Sequence, residues 1–118
     1  MKNVKRLSVE IFISFLLVTA FSGPAFSHPP KDVTMSLKGG MLSVNVSHSV
    51  DNPDKHYIYK ITIYKDNKIV LSKDYKSQTS ADGLSDTFDI GTPQQGSVIK
   101  AEAFCVIMGS VSGSITAP

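Results

Sequence analysis

A chain of 118 residues with a net charge of only +2 is sized for one domain and lacks the concentrated positive surface that nucleic-acid binding requires. The charge imbalance lies entirely in the first 27 residues, where Lys2, Lys5 and Arg6 face a single acid, Glu10; the remainder, with nine basic and nine acidic residues, is formally neutral. One cysteine, Cys105, excludes an internal disulfide, and no nucleophile triad, phosphate-binding glycine loop or carboxylate pair can be assembled from the chain.

The basic start leads into an apolar run containing Ile11, Phe12, Ile13, Phe15, Leu16, Leu17 and Val18, then into small residues at Ala20, Ser22, Gly23, Ala25 and Ser27. That is the order of a secretory signal peptide, and its core is shorter than the ~20 apolar residues of a spanning helix. Small-x-small cleavage sites fall after Ser22 and after Ser27. The later cut divides the chain into a signal peptide (1–27) and one domain (28–118) beginning at His28. The expectation is export to the periplasm or outside the cell, with membrane contact only through the signal before cleavage.

Beyond residue 28 the hydrophobic period is two. Val33, Met35 and Leu37 alternate with polar residues up to a Lys38-Gly39-Gly40 turn, and Leu42, Val44 and Val46 alternate after it. A third strand is predicted from His56 to Lys65, a turn at Asp66-Asn67, and a fourth strand from Lys68 to Tyr75. A polar loop spans Ser77 to Gly83. Leu84, Asp86, Phe88 and Ile90 mark a fifth strand, and a loop with Pro93 precedes a sixth from Ser97 to about Ile107. Met108-Gly109-Ser110 then turns into a short last strand with Val111 and Ile115. Seven short strands at this spacing, with no helical stripe, predict an all-β, immunoglobulin-like antiparallel sandwich.

Phase locates the chemistry. Residues two apart on a strand share a face. His48 continues the inward register of Leu42, Val44 and Val46; Cys105 continues that of Ile99, Ala101 and Ala103. His56 stands at the start of its predicted strand, and His28 at the domain start, stiffened by Pro29 and Pro30. These three histidines and one cysteine are all the chain contains. Gathered at one end of the sandwich, they form a ligand set for iron, copper or zinc, with thiolate favouring softer or redox-active metals. The alternative is structural: a hydrogen-bonded core histidine and a cysteine acting as a small apolar side chain.

His28-Pro29-Pro30, then SHSVDNPDKHYIYKITIY (47–64), then VIKAEAFC (98–105) resemble, in order, the iron-binding domain of desulfoferrodoxin and superoxide reductase, with HYI the most specific piece. The resemblance covers essentially all of residues 28–118. It implies a non-haem iron centre reducing superoxide to peroxide by one electron, supplied through an electron donor that the sequence does not identify. Carried over by position, His28, His48 and His56 match equatorial ligands, and Cys105 matches the axial thiolate. Three positions depart from the pattern. Met108, a weak ligand, stands where the family has its last histidine. Phe26-Ser27 replaces the Glu-Lys pair before the first histidine, which leaves Lys31, and less directly Lys55, as the candidates for the missing lysine. Ser49 replaces a proline after His48.

Two other readings follow from the residues. Copper is one: with His28 as mature terminus, its amine and ring could chelate the ion together with His48 or His56, while Cys105 and Met108 resemble the soft half of a blue-copper set. A metal-free interaction module is the other, with Tyr57, Tyr59, Tyr64 and Tyr75 as an aromatic surface; alternating tyrosines also suit ordinary sheet packing.

Overall fold

The computed structural model describes residues 28–118, and the signal peptide expected over 1–27 lies outside the described residues. Among the described residues no helix is long and apolar enough to cross a membrane. Seven strands form: β1 (Asp32–Lys38), β2 (Met41–Ser47), β3 (Ile58–Lys65), β4 (Lys68–Asp74), β5 (Gly83–Asp89), β6 (Val98–Cys105) and β7 (Ser110–Thr116). They pair antiparallel in two sheets, ordered β1-β2-β5 and β4-β3-β6-β7.

Local chemistry explains the hairpins. Lys38 pairs with Met41 across Gly39-Gly40, and Lys65 with Lys68 across Asp66-Asn67. Asp66 and Asn67 both have positive φ (49° and 68°), the backbone that a two-residue hairpin turn requires and that Asp and Asn tolerate best among residues with a Cβ. β4 is an edge strand with Lys68 and Lys73 exposed, a composition that discourages pairing with another chain.

The core lies between the sheets. Leu42, Val44 and Val46 from β2 meet Ile61 and Ile63 from β3 and Ile99, Ala101 and Ala103 from β6, all buried, with Leu84 and Phe88 from β5. Fully burying a Leu, Ile or Val side chain stabilises by roughly 1.5–3 kcal/mol, so this apolar block holds the sheets face to face.

Two strand limits differ from the pattern-based expectation by two residues, the others by one at most. β3 begins at Ile58 rather than His56, because His56 belongs to a turn in which the Asn52 carbonyl accepts from the Lys55 and His56 N–H groups at 3.1 and 2.9 Å. β6 ends at Cys105 rather than Ile107. There the chain doubles back, with the Cys105 N–H donating to Gly109 O at 2.9 Å, and Gly109 takes φ +81°. Val106 and Ile107 have strand-forming side chains but are exposed on this bend.

β3 also carries a bulge. Ile58 pairs with Cys105 and Lys60 with Phe104, so Tyr59 is an extra residue on β3. The phase reverses across it: even-numbered Ile58 faces inward before the bulge, odd-numbered Ile61 and Ile63 after it.

A polar cluster ties the sheets together at one flank. The Tyr75 hydroxyl donates to Asp86 Oδ2 at 2.6 Å, the Lys73 ammonium donates to the same oxygen at 2.8 Å, and the Thr87 N–H donates to Asp86 Oδ1 at 2.8 Å. Burial opposes the Asp86 charge, but these donors outweigh it and hold its pKa below the ordinary value of 3.8. Burial, then the bond to Asp86, keeps the Tyr75 hydroxyl protonated far above the usual phenol range.

Candidate metal centre

His48 lies one residue past β2, its backbone N–H bonded to Asp82 O at 2.9 Å, and its side chain is only 1% exposed. Cys105, the last residue of β6, is 5% exposed. β2 and β6 belong to opposite sheets, so the two inward registers converge at one end of the sandwich. The turn before β3 brings His56 to the same place, anchored by its N–H to Asn52 O and, one residue on, by the Val106 N–H donating to Tyr57 O at 3.0 Å.

His48, His56 and Cys105 each offer a ligand atom, and these atoms lie within 4.8 Å of one another. Two metal–ligand bonds end to end, one to nitrogen and one to sulfur, span about 4.4 Å. That is the limit for ligands directly opposite one another; at tetrahedral angles the same bonds bring the atoms to about 3.6 Å, so the group would contract by up to about 1 Å around one ion. The His48 and His56 rings stand edge to face, with centroids 4.6 Å apart.

His28 approaches from the solvent side. Its ring centroid is 5.5 Å from that of His48 and 5.7 Å from that of His56, and the ring is exposed. The arm carrying it is seated by buried Pro30, by the Lys31 N–H donating to Ser47 O at 2.8 Å, and by Pro29 against Gly109. A Cβ at Gly109 would come within 2.6 Å of Pro29 Cβ, so glycine there serves both the positive φ and the close approach.

The donors suit a metal. His56 Nε2 is buried without a hydrogen-bond partner, an arrangement that costs about 1–3 kcal/mol unless something binds the nitrogen. Burial lowers the His56 pKa, as does repulsion from His48 and His28, with Asp51 opposing. The neutral ring that results is the form that ligates. The Cys105 sulfur receives the Ile107 N–H at 3.4 Å, a bond that strengthens when the acceptor is a thiolate. An open pocket of about 310 Å³ lined by His28, Ser49, Val50, Asp51 and His56 gives access from solvent.

The other candidates lie further out. Met108 is 48% exposed on the bend after Cys105. Lys31 and Lys55 are exposed, and neither lines the pocket, whose charged wall residue is Asp51. The four tyrosines are half-buried. Tyr64 donates to Glu102 at 3.2 Å, Tyr75 donates to Asp86, and Tyr59 packs on Phe104 with centroids 6.2 Å apart.

One residue was not singled out from the sequence. Gln78, in the polar loop after β4, is 7% exposed and bonds the His48 ring at 2.5 Å. Nothing in the run Ser77-Gln78-Thr79-Ser80 distinguishes it from solvent-facing loop.

No family model matches the sequence, nor does any curated protein. Solved structures do match. Superoxide reductase (1Fe-SOR) from Giardia intestinalis superposes with TM-score 0.55 over 75% of this chain and 99% of its own, at 16% identity. The chain has the superoxide reductase fold. A variant of the neelaredoxin-type superoxide reductase from Ignicoccus hospitalis gives TM-score 0.53 at 13% identity, over 75% of this chain and 79% of its own. A mutant of the neelaredoxin from Archaeoglobus fulgidus in the reduced form gives 0.51 at 15% identity, over 82% of this chain and 97% of its own. At these identities the likeness carries the architecture alone; it is this chain's own geometry that gathers His48, His56 and Cys105 at one end of the sandwich.

Proposed function

We propose that this chain is an exported, superoxide-reductase-like non-haem iron protein. The observation that carries the reading is a buried His48–His56–Cys105 group with an unpartnered His56 nitrogen, in the superoxide reductase fold. His48, His56 and Cys105 would hold the iron, with the His28 ring completing the set from the solvent side. Bound there, ferrous iron would supply the electron in O2•− + e− + 2 H+ → H2O2, and an external donor would restore it.

The protein's own contribution is threefold. The sandwich end gathers two imidazoles and the sulfur within 4.8 Å before any ion arrives. The Ile107 N–H fixes the sulfur's direction. The pocket beside His28 and His56 admits a small molecule and water, the proton source. Asp51 lines that pocket and Lys31 and Lys55 do not, so attraction of an anion falls to the centre's own charge.

The test is anaerobic purification of the domain beginning at His28, followed by ferrous loading. One iron per chain is expected, with a visible thiolate-to-iron band on oxidation that vanishes in Cys105→Ser, and superoxide consumption when a reductant is present. Stoichiometric iron retained by Cys105→Ser with an unchanged spectrum would remove the sulfur from the site.

Copper is the second reading, favoured by one feature: the exposed His28 ring stands beside both other imidazoles. A start at Gly23, read by amino-terminal sequencing of the secreted protein, would exclude the copper chelate, since it leaves no amine at His28.

A further inference from the structure

Gln78 occupies the loop between β4 and β5 and uses every polar atom of its side chain. Oε1 faces His48 Nδ1 at 2.5 Å and accepts from the Ile58 N–H at 3.1 Å. Nε2 donates to His48 O at 3.0 Å and to Ser80 O at 3.1 Å. The backbone N–H of Gln78 donates to Pro53 O at 3.2 Å. The orientation of a carboxamide is settled by partners whose roles are fixed. Here two backbone carbonyls, which only accept, surround the nitrogen, and a backbone N–H, which only donates, meets the oxygen. The reversed orientation would set N–H against N–H and oxygen against oxygen.

With Oε1 in place, His48 Nδ1 must be the protonated nitrogen. The lone pair of the neutral ring then sits on Nε2; the His28 carbonyl oxygen lies 3.4 Å away, beyond the roughly 2.7–3.2 Å of a firm hydrogen bond, so it does not hold a proton there against Gln78. Imidazole ligands commonly give their second N–H to an outer acceptor that fixes tautomer and ring orientation. The same Gln78 also grips the segment bearing His56, through Ile58 N–H on one side of that histidine and Pro53 O on the other.

We infer that Gln78 is the positioning residue of the centre: it holds His48 as the Nδ1–H tautomer with Nε2 turned toward His56 and Cys105, and it locks the segments carrying the two imidazoles into one unit. The consequence for metal affinity rests on the function proposed above; the tautomer does not.

Two-bond proton–nitrogen correlation spectra of the metal-free protein, labelled at the histidine rings, read the tautomer directly. Co2+ titration, followed in the visible, reads affinity for a metal that accepts both imidazole and thiolate. The wild-type protein is expected to show His48 as the Nδ1–H form. Gln78→Met keeps the length of the side chain and removes both ends of the amide. It should release His48 into a mixture of tautomers and weaken Co2+ binding about 10–100-fold. Gln78→Glu retains the acceptor and should restore the single tautomer, a rescue that a merely space-filling role would not give, while its second oxygen meets the His48 and Ser80 carbonyls and limits the recovery of affinity. An Nε2–H tautomer at His48 in the wild-type protein would overturn the inference whatever the variants do. So would a Gln78→Met protein with tautomer and affinity unchanged. A wild-type protein that takes up no Co2+ while showing the Nδ1–H form would overturn the metal reading alone.

Discussion

Tyr75, Asp86 and Lys73 link the sheets at one flank; His48, Gln78 and His56 link them at one end. In the first cluster every polar atom named has a partner: the Asp86 oxygens take donors from Tyr75, Lys73 and Thr87. In the second, Gln78 is satisfied at both ends, yet His56 Nε2 is buried with nothing to bond. Both are polar groups withdrawn from water, which is unfavourable unless compensated. The flank cluster compensates itself and is complete as folded. The end cluster is complete only with something added, and its donor atoms are those a soft or borderline metal prefers. The difference between a polar cluster that fastens a fold and one that awaits a ligand is a single unpartnered ring nitrogen.

That contrast makes quantitative predictions. The largest effect belongs to His56→Ala, which removes the unpaired nitrogen. Metal affinity should fall by more than about 100-fold, beyond the loss typical of an outer-shell partner, while urea unfolding of the metal-free protein should show little loss of stability. A comparable loss in both would make His56 structural and end the contrast. Next is metal itself. At free metal 100 times its Kd, the protein should gain about 2.7 kcal/mol by linkage, seen as a higher melting temperature, and the gain should disappear on chelation. An unchanged melting temperature would favour the metal-free module.

Asp86→Ala should act the opposite way, costing about 1–2 kcal/mol in urea unfolding because it strands the half-buried Tyr75 hydroxyl, with metal affinity unchanged. The smallest effect is in acid. The folded state holds the Asp86 pKa below its ordinary 3.8, so the unfolded chain takes up this proton first. The group's contribution is complete above about pH 5 and is lost as pH falls through the lower folded value. Tyr75→Phe should flatten part of that loss, as measured by unfolding at pH 2–5.

The sequence made some of this arrangement legible and not the rest, for physical reasons. Unbroken alternation carries inward register from Val46 to His48 and from Ala103 to Cys105, and both residues are buried as their phase requires. His56 was beyond such counting, because the Tyr59 bulge reverses phase between it and the body of β3. The end of β6 was overrun because Val106 and Ile107 have strand-forming side chains, whereas the backbone turns on Gly109 and on the bond to its carbonyl. Gln78 gave no signal, since a loop glutamine becomes a buried anchor only through partners 20 to 30 residues away.

The extra residue at Tyr59 acts as an offset between two gears. Deleting its codon would return β3 to plain alternation, with Ile61 and Ile63 still seated against the opposite sheet. Because Ile58 and Lys60 already oppose the adjacent partners Cys105 and Phe104, Ile58 would keep its inward face, and what would be lost is the extra length and local twist the bulge gives the strand. One triplet of coding sequence thus sets how sharply the strand bends where it leaves the histidine end of the sandwich.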